Sequence, residues 1–479
     1  MASGAHRWQL PAATPERSGE GRRRAGLGGV AAVYRSVRRT GPGRVTIAAG
    51  LGESLTRSHH ARPIDGLIEF IGASPSPFHA TATVRDRLVE RGFAEVPIAA
   101  RRAAPLPRRG VVRIGGALVA WIAPAGGATE SWRVIAAHTD SPNLRVKPRP
   151  DLAAAGCRQV AVEPYGGVLL TTWLDRDLGL SGRVVVRSPL GTQEERLVAV
   201  SDPVLRIPNL AIHLDSGVNE RGLVVDRQRH LHPIWGLGAP AEGLFERWIA
   251  ELAGVGPTEV LSWDLMCHDV VGPTLWGRSS EFLASARLDN LCSSFGAVEA
   301  LVALDGAELR HGVAIALFDH EEVGSESATG AGSPLLADAL DLLGADWHVS
   351  ALLSADMAHA LHPNHVERHE PSHPALLGGG PVIKVNVNQR YATDAWSAAD
   401  FRLACEEASV PVQVYAHRAD LACGSTIGPI ASARLGVATV DVGIPQLAMH
   451  SIRESLAVSD VDAMVAAFTA WARRPVPRA

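Results

Sequence analysis

The sequence predicts an α/β fold in which a helix-covered, largely parallel sheet is interrupted by a β-rich inserted domain. After about Leu283, helical and strand-like apolar patterns alternate, which is typical of parallel strands joined by helices. Between about Val146 and Gly272, short β-branched runs alternate with Gly, Pro and Asp turns, which is typical of a mainly β module. We therefore predict the first part of the α/β domain at 56–145, the insertion at 146–275 and the second part at 276–479.

The individual elements follow from the same periodicities. Apolar residues at helical spacing predict helices at Ile64–Ile71, Thr81–Arg91, Ala297–Leu304 and Leu335–Leu343. Short apolar runs predict strands of the α/β domain at Gly110–Ile114, Ala117–Ile122, Val134–Ala137, Val313–Phe318, Val349–Ala355 and Val437–Val442. Within the insertion, β-branched runs predict strands at Val168–Trp173, Gly182–Val186 and Leu197–Val200.

Composition disfavours several classes of protein. The net charge of -4 favours neither a nucleic acid nor an anionic membrane as partner, and no apolar run approaches the ~20 residues of a membrane span. The five cysteines are scattered and form no CxxC pair, which fits a reducing compartment such as the cytoplasm. Residues 1–55 carry nine arginines, many small residues and little periodicity, so we predict a basic, disordered extension there.

The segment Asp-His-Glu-Glu-Val-Gly-Ser, residues 319–325, follows the apolar run Val313–Phe318. Two adjacent carboxylates, Glu321 and Glu322, are costly to hold at the end of a buried strand unless a cation or a proton separates their roles. Because neighbouring residues of an extended chain point in opposite directions, one glutamate can ligate a metal while the other acts as a general base. For this segment alone, a solvated acidic turn is the alternative interpretation.

Other polar side chains also lie at or just beyond the ends of predicted strands, where α/β sheets collect their ligands. A lone His at a strand end, such as His138, is more often a polar loop residue, and an Asp placed like Asp289 is usually a helix N-cap. Two histidines and several carboxylates without cysteine suit a pair of divalent cations, which together can polarise a carbonyl and activate a water molecule. The candidate residues are His138, Asp289, Glu321, Glu322, Asp356 and His450.

These residues lie in segments that resemble the motif set of the M18 aspartyl aminopeptidases. The resemblance runs in one order from about Asp65 to about Arg453, and residues 1–55 have no counterpart in it. The segments that carry it are His138-Thr-Asp140, Arg287-Leu-Asp-Asn290, Asp319-His-Glu-Glu-Val-Gly-Ser325, Asp356-Met-Ala-His359, Pro381-Val-Ile-Lys-Val-Asn386, Cys423-Gly-Ser-Thr-Ile-Gly-Pro429 and Gln446-Leu-Ala-Met-His-Ser-Ile-Arg-Glu454.

The resemblance implies two divalent metal ions. Asp289 would bridge them, with His138 and Asp356 completing one site and Glu322 and His450 completing the other. Zn²⁺ is the expected metal, and Mn²⁺ and Co²⁺ are the alternatives, since carboxylate and imidazole ligands accept all three.

The resemblance also implies roles beyond the metal ligands. Glu321 would take a proton from the attacking water and pass it to the leaving amine, and Asp140 would hold His138 in the required tautomer. Lys384, one of only two lysines in the chain, would meet an acidic substrate side chain, assisted by His359. The expected substrates are therefore peptides that begin with Asp or Glu.

One further histidine points to self-association. The segment Asn209–Leu214 resembles the part of the family in which a histidine, here His213, reaches into the site of a neighbouring subunit and stabilises the oxyanion. The resemblance implies a homo-oligomer, specifically a dodecamer, and assigns this role to the inserted domain. A plain strand histidine is the alternative for His213.

Two other functions remain open at this stage. One is a related di-metal hydrolase with broader aminopeptidase activity or with N-acyl amino-acid deacylase activity. The other is a catalytically inert shell that keeps the fold without the chemistry, which the presence of every candidate ligand disfavours.

Overall fold

The computed structural model describes residues 62–97, 106–124, 129–239 and 241–476. The predicted extension at 1–55 lies outside these residues. Within them, no helix has the length and apolarity needed to cross a membrane. The helices of this part of the chain are α1 (Pro63–Ala73), α2 (Pro77–Glu90), α3 (Val218–Arg221), α4 (Leu244–Ala253), α5 (Leu288–Ala303), α6 (Leu335–Leu340), α7 (Ala395–Glu407), α8 (Ile427–Leu435) and α9 (Val458–Arg473).

The strands of the described residues form three sheets. In chain order they are β1 (Ala94–Glu95), β2 (Arg109–Ile114), β3 (Ala117–Ile122), β4 (Trp132–His138), β5 (Asn143–Ala154), β6 (Cys157–Tyr165), β7 (Leu178–Arg187), β8 (Gln193–Leu205), β9 (Ile234–Leu237), β10 (Val260–Asp269), β11 (Thr274–Trp276), β12 (Phe282–Ser285), β13 (Gly312–Phe318), β14 (Ala351–Ala355), β15 (Ala358–His359), β16 (Val382–Val385), β17 (Gln413–Ala416), β18 (Ala438–Gly443), β19 (Pro445–Leu447) and β20 (Glu454–Ala457).

The largest sheet has nine strands in the order β1-β2-β3-β13-β4-β14-β18-β16-β17. Its centre, from β13 through β4 and β14 to β18, is parallel, whereas β2–β3, β3–β13 and β18–β16 pair antiparallel. Alternate residues of β13 enter two different cores, with Ile315 facing the core that contains α5 and α9, and Ala316 facing the core that contains α6 and α8. A sheet buried on both faces reads as a continuous apolar run, which is why β13 was predictable.

The second sheet has six strands in the order β8-β7-β10-β5-β6-β9, and all its pairings are antiparallel. Its strands lie between Asn143 and Asp269 in the chain. The third sheet, β11-β12-β20-β19-β15, joins chain segments from both sides of α5. The predicted fold class, a helix-covered and largely parallel sheet interrupted by a β-rich module, is confirmed.

Two local predictions were wrong. The run Val168–Trp173 is not a strand, because Leu170–Trp173 forms a 3₁₀ turn that packs Trp173 into the core of the six-stranded sheet. A short apolar run with one buried side looks the same in either conformation. The segment holding Glu321 and Glu322 is a 3₁₀ turn rather than extended chain.

Candidate active site

Three parallel strands bring most of the candidate residues to one edge of the nine-stranded sheet. His138 is the last residue of β4, and it lies in register with Phe318 at the end of β13. Asp356 follows the end of β14, the other neighbour of β4. Because parallel strands share the edge at which they end, residues more than 200 positions apart in sequence meet there.

The first trio consists of His138, Asp289 and Asp356. The Nε2 atom of His138 lies 3.3 Å from Oδ1 of Asp289 and 3.5 Å from Oδ1 of Asp356. Its Nδ1 atom lies 3.0 Å from the backbone carbonyl oxygen of Asp140, to which it can donate a hydrogen bond. That hydrogen bond leaves the Nε2 lone pair free for a metal ion, the arrangement usual for metal-binding histidines.

The second trio consists of Asp289, Glu322 and His450. The Nε2 atom of His450 lies 3.4 Å from Oε2 of Glu322 and 3.6 Å from Oδ2 of Asp289, so Asp289 belongs to both trios. The Nδ1 atom of His450 lies 3.0 Å from the backbone oxygen of Gly167, in the loop after β6. A Cβ atom at Gly167 would stand 2.9 Å from that Nδ1 atom, so only glycine allows this approach.

In each trio the candidate ligand atoms lie within 4.8 Å of one another. A third group that meets the same limit combines His138 with Glu321 and Glu322. In that group the Nε2 atom of His138 and Oε2 of Glu321 are 3.9 Å apart, farther than either carboxylate of the first trio. Glu321 is therefore the acidic residue that stands next to both trios without completing either.

The electrostatics of these groups fit a bound cation. Burial, reinforced by the neighbouring carboxylates, raises the pKa of Glu321 to about 8, although His138 opposes this rise. Burial and the charge of Asp289 likewise raise the pKa of Glu322 well above its usual range. Burial alone would lower the pKa of His138, but the adjacent carboxylates of Asp140, Asp289 and Asp356 raise it well above its ordinary value. Without a cation, the cluster must hold protons to limit its negative charge.

Two unpartnered oxygen atoms give an independent test of this fit. Oδ1 of Asp289 and Oε1 of Glu322 are buried and have no hydrogen-bond partner. Buried carboxylate oxygens nearly always have a partner, and a metal ion is a common one. Imidazole nitrogen and carboxylate oxygen, without thiolate, are suitable donors for zinc. The residues present therefore fit divalent metal binding.

Asp140 positions the segment that carries both glutamates. Its Oδ1 atom accepts a hydrogen bond from the backbone N–H of Glu321 and its Oδ2 atom accepts one from that of Glu322, each 3.1 Å long. The hydroxyl of Tyr165 donates to Oδ2 at 2.7 Å. The Asp140 carboxylate lies 3.4 Å from Nδ1 of His138, farther than its own backbone oxygen. Asp140 thus orients His138 mainly through its backbone and the glutamates through its side chain.

Sequence reasoning missed the residues that hold Asp289 in place. The hydroxyl of Ser141 donates to the backbone oxygen of Asp289 at 2.5 Å. The carboxylate of Glu454 accepts from the backbone N–H of Asp289 at 3.1 Å and from that of His450 at 2.7 Å. The available signal was an acid at the start of the short strand β20, four residues after a candidate ligand.

Lys384 lies in β16 with its side chain only 2% exposed, so it is not a surface lysine. Its Nζ atom donates to Oδ2 of Asp356 and to the backbone oxygen of Met357, both at 3.2 Å. Burial would raise the pKa of Asp356, but the Lys384 ammonium and His138 together hold it below its usual range. Burial and the charge of Lys384 lower the pKa of His359 to about 4, which keeps that imidazole neutral near pH 7.

The structure does not bring His213 to the other candidate residues. It is the middle residue of the 3₁₀ turn Ile212–Leu214, so it does not lie in a strand. Its side chain is exposed. Among the described residues, no hydrogen bond or ion pair joins His213 to either trio. Its neighbours Leu210 and Leu214 are also exposed, which is unusual for large apolar side chains so close together.

Comparison with known proteins matches nearly the whole described chain to one family. The family model of the aminopeptidase I zinc metalloproteases (M18) matches residues 70–471. A probable M18 family aminopeptidase 2 from Mycobacterium tuberculosis (strain ATCC 25618 / H37Rv) is 50% identical over 424 residues, which cover 85% of this chain and 97% of that protein. The corresponding protein of Streptomyces coelicolor is 46% identical over 422 residues, covering 85% and 96% respectively.

Solved structures give the same result. The fold is similar to Ape4 in its complex with Nbr1, with a TM-score of 0.81 and 33% identity over 86% of this chain and 85% of that chain. It is also similar to the mApe1 dodecamer of S. cerevisiae, with a TM-score of 0.74 and 28% identity over 85% and 96% of the two chains. The match over most of the chain, together with half-identical relatives, shows that this protein belongs to the M18 family and is a zinc-type metallo-aminopeptidase.

Proposed function

We propose that this protein is a di-metal aminopeptidase that removes Asp or Glu from the N-terminus of peptides. The observation that carries the proposal is the pair of His–carboxylate trios that share Asp289, with Glu321 beside both. His138 and Asp356 would hold one ion, and Glu322 and His450 would hold the other. Asp289 would contribute to both sites. Zn²⁺ is the proposed metal, with Mn²⁺ and Co²⁺ as alternatives. When bound, such ions polarise a substrate carbonyl and lower the pKa of a nearby water molecule.

Glu321 is the proposed proton carrier. As the base it takes a proton from the attacking water, and as the acid it returns that proton to the leaving amine. Asp140 accepts a hydrogen bond from the backbone N–H of Glu321. Glu321 begins a 3₁₀ turn that is flanked by His320 and Gly324, both of which have left-handed backbone conformations.

Lys384 and His359 are the proposed determinants of the preference for an acidic first residue. Lys384 is one of two lysines in the chain, and its ammonium group lies in the same hydrogen-bond network as Asp356. A buried cation favours a carboxylate over an uncharged side chain because few water molecules compete for it. The ring of His359 lies beside those of Tyr415 and His417, with ring centroids 6.1 and 6.4 Å away.

We expect Lys384→Ala to lower the kcat/KM for Asp-Ala-Ala by about 10- to 100-fold more than that for Leu-Ala-Ala, since one charge-assisted hydrogen bond is lost. Lys147→Ala, which removes the only other lysine, is the matched control. Metal content is measured alongside, because Lys384 also contacts Asp356. An equal loss for both peptides would assign Lys384 to the metal site and not to specificity.

Self-association through the inserted domain, proposed at 146–275, is the second part of the proposal. The segment around His213 exposes several large apolar side chains, namely Leu210, Ile212, Leu214, Leu223 and Val224. A stretch of this kind on a folded domain is typical of a surface that another protein covers. The S. cerevisiae relative is a dodecamer, and we propose the same assembly here, with His213 serving the site of a neighbouring subunit.

A cytoplasmic location is also proposed. All five cysteines lie within the described residues and none forms a disulfide, although Cys267, Cys292 and Cys405 are buried where a bond would be protected. Unpaired thiols in this number fit a reducing compartment.

The deciding experiment measures amino-acid release from Asp-Ala-Ala, Leu-Ala-Ala and N-acetyl-Asp by the full chain, before and after chelation and after Zn²⁺ or Mn²⁺ is restored. We expect chelation to abolish release, re-addition to restore it, and Asp to be released much faster than Leu. Equal release of Asp and Leu would retain the metal chemistry and reject the acidic preference. Hydrolysis of N-acetyl-Asp alone would favour the deacylase alternative.

A further inference from the structure

Glu454 is a buried carboxylate that no step of the proposed mechanism uses. It begins β20 in the middle of the five-stranded sheet, and its side chain is 1% exposed. No ion pair involves Glu454 among the described residues, so no basic side chain within 4 Å compensates its charge. A buried carboxylate is tolerated only if several hydrogen-bond donors surround it.

The donors that surround Glu454 belong to the metal-site segments. Its Oε2 atom accepts from the backbone N–H of Asp289 at 3.1 Å. Its Oε1 atom accepts from the backbone N–H of His450 at 2.7 Å and from Nε2 of Gln446 at 3.5 Å. The side chain of Glu454 therefore joins two chain segments that are 161 residues apart, at Asp289 and His450 of the second trio.

Both of these segments contain non-glycine residues in the left-handed backbone conformation, which residues with a side chain rarely adopt. Arg287, two residues before Asp289, has a φ of 62°, and His450 itself has a φ of 66°. Ala448, two residues before His450, has a φ of 56°. Non-glycine residues remain in the left-handed region only where surrounding contacts hold them there. The hydrogen bonds to Glu454 are contacts of this kind.

Asp140 and Glu454 make equivalent hydrogen bonds to the segments that carry the second trio. Asp140 accepts from the backbones of Glu321 and Glu322, and Glu454 accepts from those of Asp289 and His450. Each carboxylate uses one oxygen atom for each of its two backbone N–H groups. The two together fix the backbone of every member of the second trio.

We infer that Glu454 is a positioning residue that sets the spacing of Asp289 and His450 and thereby the affinity of the second trio for a divalent cation. This inference rests on the metal-binding part of the proposed function and not on the preference for acidic substrates. Groups that orient metal ligands typically contribute 10- to 100-fold to metal affinity. The first trio shares only Asp289 with this network, so its ion should be affected less.

Glu454→Gln tests the inference with little change in volume. The two backbone N–H groups bind different oxygens of Glu454, and in the amide one of those oxygens is replaced by an NH₂ group, which cannot accept from an N–H. We expect the full-length variant to stay folded and to bind one of two Zn²⁺ equivalents about 10- to 100-fold more weakly in competition with a chromophoric chelator. Glu454→Asp, which keeps the charge but is one methylene shorter, should show the same defect.

Asp460→Asn is the matched control. Asp460 is also a buried carboxylate that accepts from two backbone N–H groups, those of Gly378 and Gly380, but it contacts neither trio. We expect this variant to melt at a lower temperature while binding both Zn²⁺ equivalents normally. Melting temperatures of all the variants separate a loss of fold from a loss of metal affinity.

Two results would overturn the inference. Wild-type affinity for both Zn²⁺ equivalents in Glu454→Gln and Glu454→Asp would show that Glu454 does not position the ligands. An equal loss of affinity in Asp460→Asn would show only a general effect of stability. In either case the wild-type protein would still bind two equivalents, so the proposed function would stand. A wild-type protein that bound a single equivalent would instead reject the two-ion proposal, and this inference with it.

Discussion

Glu321→Gln is expected to lower kcat for Asp-Ala-Ala by about 10²–10⁴-fold, the usual contribution of a general base and acid, while both metal ions remain bound. The amide has the shape of the carboxyl group but cannot take a proton from water. Metal retention is expected because Glu321 is not needed to complete either trio, each of which has its own His and carboxylates. Steady-state kinetics and elemental analysis of the same preparation measure the two effects.

The neighbouring residue Glu326 provides the control for this variant. It lies five residues later and is exposed to solvent. Glu326→Gln should leave both turnover and metal content unchanged. Turnover at the wild-type rate in Glu321→Gln would remove Glu321 from the mechanism, whereas loss of one metal equivalent would make it a ligand, as its grouping with His138 and Glu322 also allows.

His213→Ala is expected to lower kcat by about 10²–10³-fold, the range found when one oxyanion donor is removed. The reason is unusual, because His213 is exposed and makes no contact with either trio of its own chain. Its effect therefore requires a neighbouring subunit. His348→Ala is a matched control, since His348 is likewise the exposed middle residue of a 3₁₀ turn, Trp347–Val349.

Mixed assemblies test whether His213 acts between subunits. When His213→Ala and Glu321→Gln chains are coexpressed, some sites combine an intact Glu321 from one subunit with an intact His213 from its neighbour. We expect these assemblies to recover activity that neither variant has alone. No recovery in assemblies shown by mass to contain both chains would contradict the proposal, as would full activity in a wild-type monomer.

Much of the fold follows from local patterns. The central strands β13 and β4 are continuous apolar runs because both faces of the sheet are covered, and such runs are visible without any tertiary information. The same local patterns gave a wrong prediction for Val168–Trp173, because a 3₁₀ turn can bury the one tryptophan as well as a strand can. They failed again for Glu321 and Glu322, whose 3₁₀ turn depends on hydrogen bonds to the distant Asp140.

The candidate residues could be collected from the sequence because parallel strands end at a common edge, which makes polar residues at strand ends neighbours whatever their separation in the chain. That rule predicts a cluster of His138, Asp356 and the two glutamates but leaves open which carboxylate meets which histidine. The grouping into two trios around Asp289 came from the family resemblance and not from that rule, because Asp289 lies in α5 and His450 follows β19, outside the strands β13, β4 and β14.

By itself, the sequence determined the fold class, the chemical nature of the site and, through its motifs, the family. Only the tertiary structure decided that Lys384 is buried against Asp356, that His213 stands apart from its own site, and that Glu454 joins Asp289 to His450. The physical reason is the range of the interactions. Apolar periodicity reflects burial of neighbouring residues, whereas a hydrogen bond to a buried carboxylate requires segments far apart in the chain to meet with a precision of tenths of an ångström.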